Sequence, residues 1–415
     1  MAGSAGLRAS WPLLCGYADC RLRAPPLPAI ASTRCRQGDV LDGFALETGF
    51  DRADLAARWQ AARPVSPFLT WSWISAWLVA TGADPVLLRA AGAEGEALGL
   101  FCRARAAGSQ RVFALTQCGD AARDAPFVEH NGLAGGASDP AALQRLAAFL
   151  ATARAEGPLA GWDELRLSAV PRSWAPAFAQ AGFEVEIRAT YPVYGVDLDA
   201  LRGSGVASVR DTLGAGARAR IRRAVQLYGG GSALRIERAV GRSARADALR
   251  RLVTLHQARW NAAGRPGAFA SPVFHGLVEQ LVDRGVPAGE VELLRVDAGA
   301  RVVGVMLNLI ADGHVASYVT GFAREADNRL KPGLLCHALA IDLHLREGRA
   351  VYDLLAGAAR YKRELARPCG DLQWLSVFPA RRCPRVVGRL GALARRLAAR
   401  LRPGLTARVR HRGFA

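Results

Sequence analysis

Apolar spacing divides the chain into two similar successions of elements. From Val40 an apolar, strand-like stretch runs to Leu46, and a helix is predicted over Asp51–Ala62, where Leu55 and Trp59 stand four apart, with another around Trp73–Val79. Three strand-like runs follow, Val86–Ala90, Ala97–Ala104 and Arg111–Cys118, the last two alternating in part as half-buried strands do. A long loop, Gly119–Asp139, leads to a helix with Leu143, Leu146, Ala147 and Leu150 on one face, then strand Glu164–Ser168, helix Trp174–Ala181 and strand Phe183–Ile187.

The second half runs in the same order. Strand Ala233–Glu237 precedes helices Ala244–Asn261 and Pro272–Asp283, and strands Val291–Val296, Arg301–Ile310 and His314–Gly321 come next. Helix Gly333–Glu347, strand Ala350–Leu355, a short helix over Arg360–Ala366 and strand Leu372–Phe378 complete it. Letter-by-letter similarity between the halves is not visible, so the duplication rests on element order, which predicts an α/β chain with a mixed sheet in each half. Between them, residues 199–231 place Val206, Val209, Leu213, Ile221, Val225 and Tyr228 at helical spacing, predicting a basic linker helix ended by Gly229, Gly230 and Gly231.

Composition narrows the class. At 415 residues and 51% apolar content the chain can bury a substantial core, which excludes disorder as its dominant state. No apolar run approaches the roughly 20 residues that span a bilayer, and the start makes a poor secretory signal, so a cytoplasmic protein is expected. Eight scattered cysteines show no CxxC pair and no histidine at zinc-ligand spacing, so neither a disulfide framework nor a metal centre is expected. His337 and His344 share a helix face but lie two turns apart, roughly 10 Å, too far to hold one ion simply.

The net charge of +19 resembles a nucleic-acid signature until it is located. Residues 1–40, 202–223 and 381–415 account for all of it, the last carrying eleven arginines and no acid. The rest of the chain is neutral overall, which disfavours a nucleic-acid partner. Residues 1–39 read as a loose extension, and 381–415 as an amphipathic basic tail suited to an anionic membrane surface, which would make the protein peripheral at the inner membrane face. In the linker, Gly214, Gly216 and Ala219 spell a dinucleotide fingerprint without the preceding strand it requires, and the helical spacing runs straight through them. Arg218, Arg220, Arg222 and Arg223 suit a phosphorylated or acidic acceptor, or else a solvated face.

Only two of the basic residues are lysines, Lys331 and Lys362, and both stand in the most informative stretch. Pro332 and Gly333 open a helix whose free amides and positive dipole end suit an anion, with Lys331 adding charge; a plain proline-initiated helix is the bland alternative. Downstream, Asp353 lies on a short buried strand, and Tyr361 and Lys362 emerge just past its end. There a phenol can protonate a leaving thiolate and an ammonium can hold a phosphate or polarise a carbonyl. In the first half's long loop, Glu129-His130-Asn131-Gly132 offers polar groups able to deprotonate an amine or hydroxyl across the domain interface, or an ordinary Asn-Gly turn. His256, on a helix face, is a further base candidate.

These residues carry a resemblance. Leu255-His-Gln-Ala-Arg-Trp260, Arg301-Val-Val-Gly304, Tyr318-Val-Thr-Gly321, Lys331-Pro-Gly-Leu-Leu335 and Tyr352-Asp-Leu-Leu-Ala-Gly357 with Tyr361-Lys362 resemble the CelD-like (cellulose-biosynthesis acetyltransferase) family of the GNAT superfamily, related to Fem-type aminoacyltransferases. Phe68-Leu-Thr-Trp-Ser-Trp73 looks like that family's opening motif. The resemblance implies two tandem GNAT-like domains, each a mixed twisted sheet flanked by helices: a degenerate one over 40–198 and an acetyltransferase domain over 232–380. It implies acetyl-CoA or another acyl-CoA as cosubstrate and no metal. The donor's arm would lie on Tyr318, Val319 and Thr320 and its pyrophosphate on Lys331, Gly333 and Leu334. Tyr361 would protonate the departing CoA, with Lys362, Asp353, Glu129 and His130 as the other catalytic candidates. The usual Q/R-x-x-G-x-G/A loop is replaced here by Asn328-Arg-Leu-Lys-Pro-Gly333.

The expected activity is therefore N- or O-acyl transfer to a sugar or an envelope-polysaccharide precursor. A Fem-type transferase using aminoacyl-tRNA, and a non-catalytic binding protein on the same scaffold, are the alternatives.

Overall fold

Local caps set where the elements begin. In the computed structural model, which describes residues 43–380 apart from 65, 93–94, 106–109 and 137–138, together with a short strand β1 (Arg21–Leu22), the Asp51 carboxylate accepts the amides of Ala53 and Asp54 to start α1. Thr70 does the same for α2, and Gly82, in the left-handed region that a glycine adopts freely, ends it. The first half runs β2 (Phe44–Glu47), α1 (Arg52–Ala61), α2 (Trp71–Thr81), β3 (Val86–Gly92), β4 (Gly95–Arg105), β5 (Arg111–Leu115), α3 (Pro140–Ala153), β6 (Glu164–Pro171), α4 (Trp174–Gln180) and β7 (Glu184–Asp197). After α5 (Leu198–Gly203) and α6 (Ala215–Leu227), the second half runs β8 (Leu234–Arg238), α7 (Arg242–Ala262), α8 (Pro272–Gln280), α9 (Val286–Ala288), β9 (Val291–Ala298), β10 (Arg301–Ala311) and β11 (His314–Phe322). It ends with α10 (Pro332–Arg346), β12 (Val351–Ala356), α11 (Arg360–Leu365) and β13 (Arg367–Phe378).

All strands join one sheet, ordered β2-β3-β4-β5-β6-β13-β7-β12-β11-β10-β9-β8, with β1 on β7. The last strand of each half crosses into the other: β13 pairs with β6, and β7 pairs with β12. They then pair with each other along almost their whole length, from Arg367 opposite Gly195 to Phe378 opposite Glu184. Two pairings are parallel, β5 with β6 and β11 with β12; the others are antiparallel. Strand β7 is thus much longer than the Phe183–Ile187 predicted from alternation, and it seals the junction of the halves.

Helices cover both faces. On one, Trp59, Trp73, Trp77, Phe274 and Tyr318 belong to a single buried cluster shared by the halves. On the other, α3 and α4 bury Leu143, Leu146, Trp174 and Phe178 in the first half, while α6 and α10 bury Ile221, Leu335 and Ile341 in the second. The linker departs from the predicted continuous helix: Gly214 is the N-terminal cap of α6, and Val209–Thr212 is a separate 3-10 turn. Asp342 of α10 holds that turn, accepting the Ser208 hydroxyl at 2.8 Å and the Val209 amide at 2.7 Å. The glycines therefore start a helix, but no strand leads into it, so the phosphate-binding context stays absent.

Candidate active site

The site begins where two parallel strands part. Strands β11 and β12 pair at His314–Val351, Val315–Tyr352 and Ala316–Asp353 and then diverge. Divergence follows from β12 itself, where Leu355 takes a left-handed φ of 67° and the register against β7 shifts between Asp353 and Ala356. The wedge so formed exposes backbone groups that need partners.

The first half supplies them through its long loop. Phe127 packs at a tilt of 41° against Tyr318, with ring centroids 4.5 Å apart, and its carbonyl accepts the Tyr318 hydroxyl at 3.2 Å. Glu129 accepts the Ala356 amide at 2.7 Å. His130 brings Nε2 to 2.7 Å from Asp353 Oδ2, and His314 brings its own Nε2 to 3.0 Å from the same oxygen. The other oxygen of Asp353 accepts the Leu355 amide at 2.6 Å. Of the expected catalytic residues, Glu129, His130 and Asp353 are therefore together, though 223 or more positions separate the loop from Asp353 in the chain.

Burial pushes the Asp353 carboxyl up, but the two imidazoles outweigh it and hold the group far below the usual carboxylate range. Asp353 is thus an ionised anchor between the two imidazoles. Burial raises the Glu129 carboxyl, against the pull of the Ala356 amide and of Lys362.

Past β12, the ring of Tyr361 stacks on His337, centroids 5.1 Å apart and nearly parallel. Burial pushes its hydroxyl up to about 12, against the opposing charge of Arg259 on α7, so the phenol carries its proton at neutral pH. His337 is fully buried and held neutral, its pKa lowered to about 3 by burial and by Lys362 and Arg259. The Lys362 ammonium donates to the Leu355 carbonyl at 3.0 Å and the Ala356 carbonyl at 2.6 Å, tying off the diverging end of β12.

The expected donor-binding residues divide. Lys331 caps α10 in a left-handed conformation (φ 43°) without a side-chain cap, and its ammonium bonds the Asn328 side chain at 2.6 Å. The first intrahelical amide bond runs from Leu335 to Lys331, which leaves the amides of Gly333 and Leu334 ahead of it. A β-carbon at Gly333 would lie 3.1 Å from the Phe322 ring. On β11, Tyr318 is engaged by Phe127, Val319 is buried in the shared cluster, and the Thr320 carbonyl meets His256 Nδ1 at 2.9 Å. His256 Nε2 accepts the Ala268 amide at 3.2 Å, so both its nitrogens are used and it ties α7 to β11 instead of serving as a base. Three groups beside the site, His314, His337 and Arg259, carry no site role in the sequence reading, although Arg259 lies in the Leu255–Trp260 motif; only the fold brings them together.

Residues 215–363 match the family model of the acetyltransferase (GNAT) domain. That stretch, from α6 to α11, is similar to a GNAT domain. In structure the chain is similar to FemX, with a TM-score of 0.52 and 10% identity over 79% of this chain and 96% of that one, which shows the tandem GNAT fold. It also aligns with a conserved protein of unknown function from Bacteroides thetaiotaomicron (TM-score 0.48, 12% identity, 79% of this chain and 96% of that one). L-PGS from Bacillus licheniformis aligns with a TM-score of 0.43 and 12% identity, over 78% of this chain and 95% of that one. None of the curated proteins matches the chain in sequence. Among the described residues, no helix is long and apolar enough to cross a membrane.

Proposed function

We propose that the chain moves an acyl group from acetyl-CoA or another acyl-CoA to an amine or hydroxyl of a small-molecule or saccharide acceptor, of the kind used in building envelope or secreted polysaccharide. The observation that carries this reading is the convergence, within a GNAT-like domain, of a parted parallel strand pair and a proton-bearing tyrosine just past its end. In this reading the donor's diphosphate rests at the start of α10 beside Lys331, and its thioester reaches toward Tyr361. The acceptor attacks the thioester carbonyl, the carbon–sulfur bond breaks, and Tyr361 gives its proton to the departing sulfur. Glu129, in the same wedge, takes the proton of the acceptor, and Asp353 and His130 position it. Lys362 acts by holding the end of β12. Because Phe127 and His256 already engage Tyr318 and Thr320, the donor's arm has less of the β11 edge than a bare strand would offer.

A second reading, a Fem-type transfer from aminoacyl-tRNA, is favoured by the exposed Arg218, Arg222 and Arg223 on α6. Thermal-shift titrations with acetyl-CoA, desulfo-CoA and bulk tRNA separate the readings. Stabilisation by the two CoA ligands supports acyl transfer, stabilisation by tRNA alone supports the second reading, and stabilisation by none leaves a binding scaffold without donor.

A further inference from the structure

His130, His314 and Asp353 form a cluster whose geometry goes beyond what an acyl transfer needs. One ligating atom from each lies within 4.8 Å of the others, and the three come from separate places: a first-half loop, the first residue of β11 and the middle of β12. We propose that these three side chains bind one divalent transition-metal ion, with Nε2 of both histidines and Oδ2 of Asp353 as ligands. The inference stands independently of the acyl-transfer reading.

Three features favour an ion over a simple charge clamp. In a clamp each imidazole would aim an N–H at the carboxylate. His314 meets it at 3.0 Å in good alignment, whereas Nε2 of His130, 2.7 Å from the same oxygen and shielded from solvent, lies off the line of a well-aligned hydrogen bond. A buried nitrogen that close to a carboxylate yet poorly aligned with it has bonding capacity that an ion between the groups would use. Second, two imidazoles bound through Nε2 to one tetrahedral ion at 2.0–2.1 Å would set their ring centroids roughly 5 Å apart. The rings of His130 and His314 are 5.5 Å apart and nearly perpendicular, at 80°. Ligand atoms around such an ion would stand roughly 3.3 Å apart, so the two contacts with Asp353 need open by only a few tenths of an ångström. Third, the donor set is chemically coherent: two imidazoles and a carboxylate suit zinc, iron or manganese. Three protein ligands also leave a coordination position free. An ion there would pin the first-half loop into the second-half wedge.

The test uses the full chain, stripped of metal by chelator dialysis and titrated calorimetrically with Zn²⁺. One ion per chain is expected. His130→Ala and His314→Ala, each checked for native melting, are expected to weaken that binding by at least about 100-fold, beyond the roughly 10–100-fold that follows loss of an outer partner. Absence of Zn²⁺ binding, or wild-type affinity in either variant, overturns the proposal. If a variant fails to fold, the visible spectrum of the Co²⁺-loaded wild-type chain decides. Ligand-field bands of a four- or five-coordinate ion without thiolate charge transfer support the site, and an octahedral or thiolate spectrum overturns it.

Discussion

The two halves part their parallel strands after three rungs each, and the gaps are filled in opposite ways. In the first half β5 and β6 pair at Val112–Glu164, Phe113–Leu165 and Ala114–Arg166, and Thr116 and Ala169 then take left-handed φ values of 51° and 55°. Asn131 closes that gap: its amide donates to the Ala169 carbonyl and its side-chain nitrogen to the Leu115 carbonyl, both at 3.0 Å, while Gln117 bonds Ser168 behind it. The helix that follows, α3, is capped by the Asp139 carboxylate, which accepts the Ala142 amide at 2.9 Å. In the second half the wedge receives Glu129 and His130 from the neighbouring loop, and the helix that follows, α10, is capped by Lys331 with no side chain on its amides. An acid already occupies one helix start, and a base borders the other. The first half is therefore a closed copy whose loop furnishes the open one.

The sharpest test of that asymmetry lies at Tyr361, just past the open wedge. Tyr361→Phe keeps the ring stacked on His337 and removes only the hydroxyl. Turnover is expected to fall by about 100-fold or more, the low end of general-acid contributions, with donor affinity unchanged within about twofold. Unchanged turnover in steady-state kinetics would remove Tyr361 from the acid role.

Asn131→Ala attacks the closed gap. Its side chain is buried and satisfies the Leu115 carbonyl and the Gly132 amide, so truncation leaves buried backbone groups unpaired. A loss of about 2 kcal/mol in unfolding free energy is expected from denaturant titration. A loss under about 0.5 kcal/mol would mean that water fills the gap as well as the amide does.

Much of this contrast was invisible along the chain, and the reasons are local. Alternation and helical spacing read the element order correctly, because each strand or helix buries one face. The motifs between Arg301 and Lys362 located the parted strands. Strand β7 runs on past Ile187 through Pro192, a residue that usually marks an edge or an end, because β13 and β12 pair with it there. Val206, Val209 and Leu213 share helical spacing with α6, but Asp342 holds their segment in a separate turn, a contact 133 positions away. His314 follows a tight glycine turn with nothing around it to mark a ligand, and it acquires meaning only opposite Asp353. Glu129 and His130 were visible as polar loop residues, whereas their destination was not.

Acid should separate the halves further. Helix α10 buries His337 and His344 where α3 buries only apolar side chains. With a folded pKa of about 3 against 6.5 when unfolded, His337 takes up a proton only in the unfolded chain between those values. Stability is therefore full above pH 6.5 and falls as pH drops, by about 1 kcal/mol per unit once below it. Glu292, held below its usual range by His344 despite burial, adds a loss of the same sign as pH falls through its range. Hydrogen exchange should show α10 and β12 losing protection before α3 and β6, and His337→Phe should flatten the slope between pH 6.5 and 4. Simultaneous loss in both halves would mean that the exchanged strands β7 and β13 enforce one cooperative unit.

The smallest expected effect concerns the two helix starts. Removing the cap with Asp139→Ala should cost about 1 kcal/mol of stability and leave donor binding as it was, because the first-half gap is filled by Asn131 whether or not the cap is present. Lys331→Ala should do the reverse. Its ammonium bonds Asn328 near the surface, so the fold loses little, while a diphosphate at the start of α10 loses a neighbouring charge worth about 0.3–1 kcal/mol, a roughly two- to fivefold weaker Kd. That weakening should shrink as salt is raised, since a half-exposed charge is screened over about 10 Å at 0.1 M ionic strength. Calorimetric titration of both variants with desulfo-CoA at two salt concentrations measures all of this. If Asp139→Ala weakens the donor as much as Lys331→Ala does, the ligand rests on the first half, and the assignment of closed and open copies is reversed.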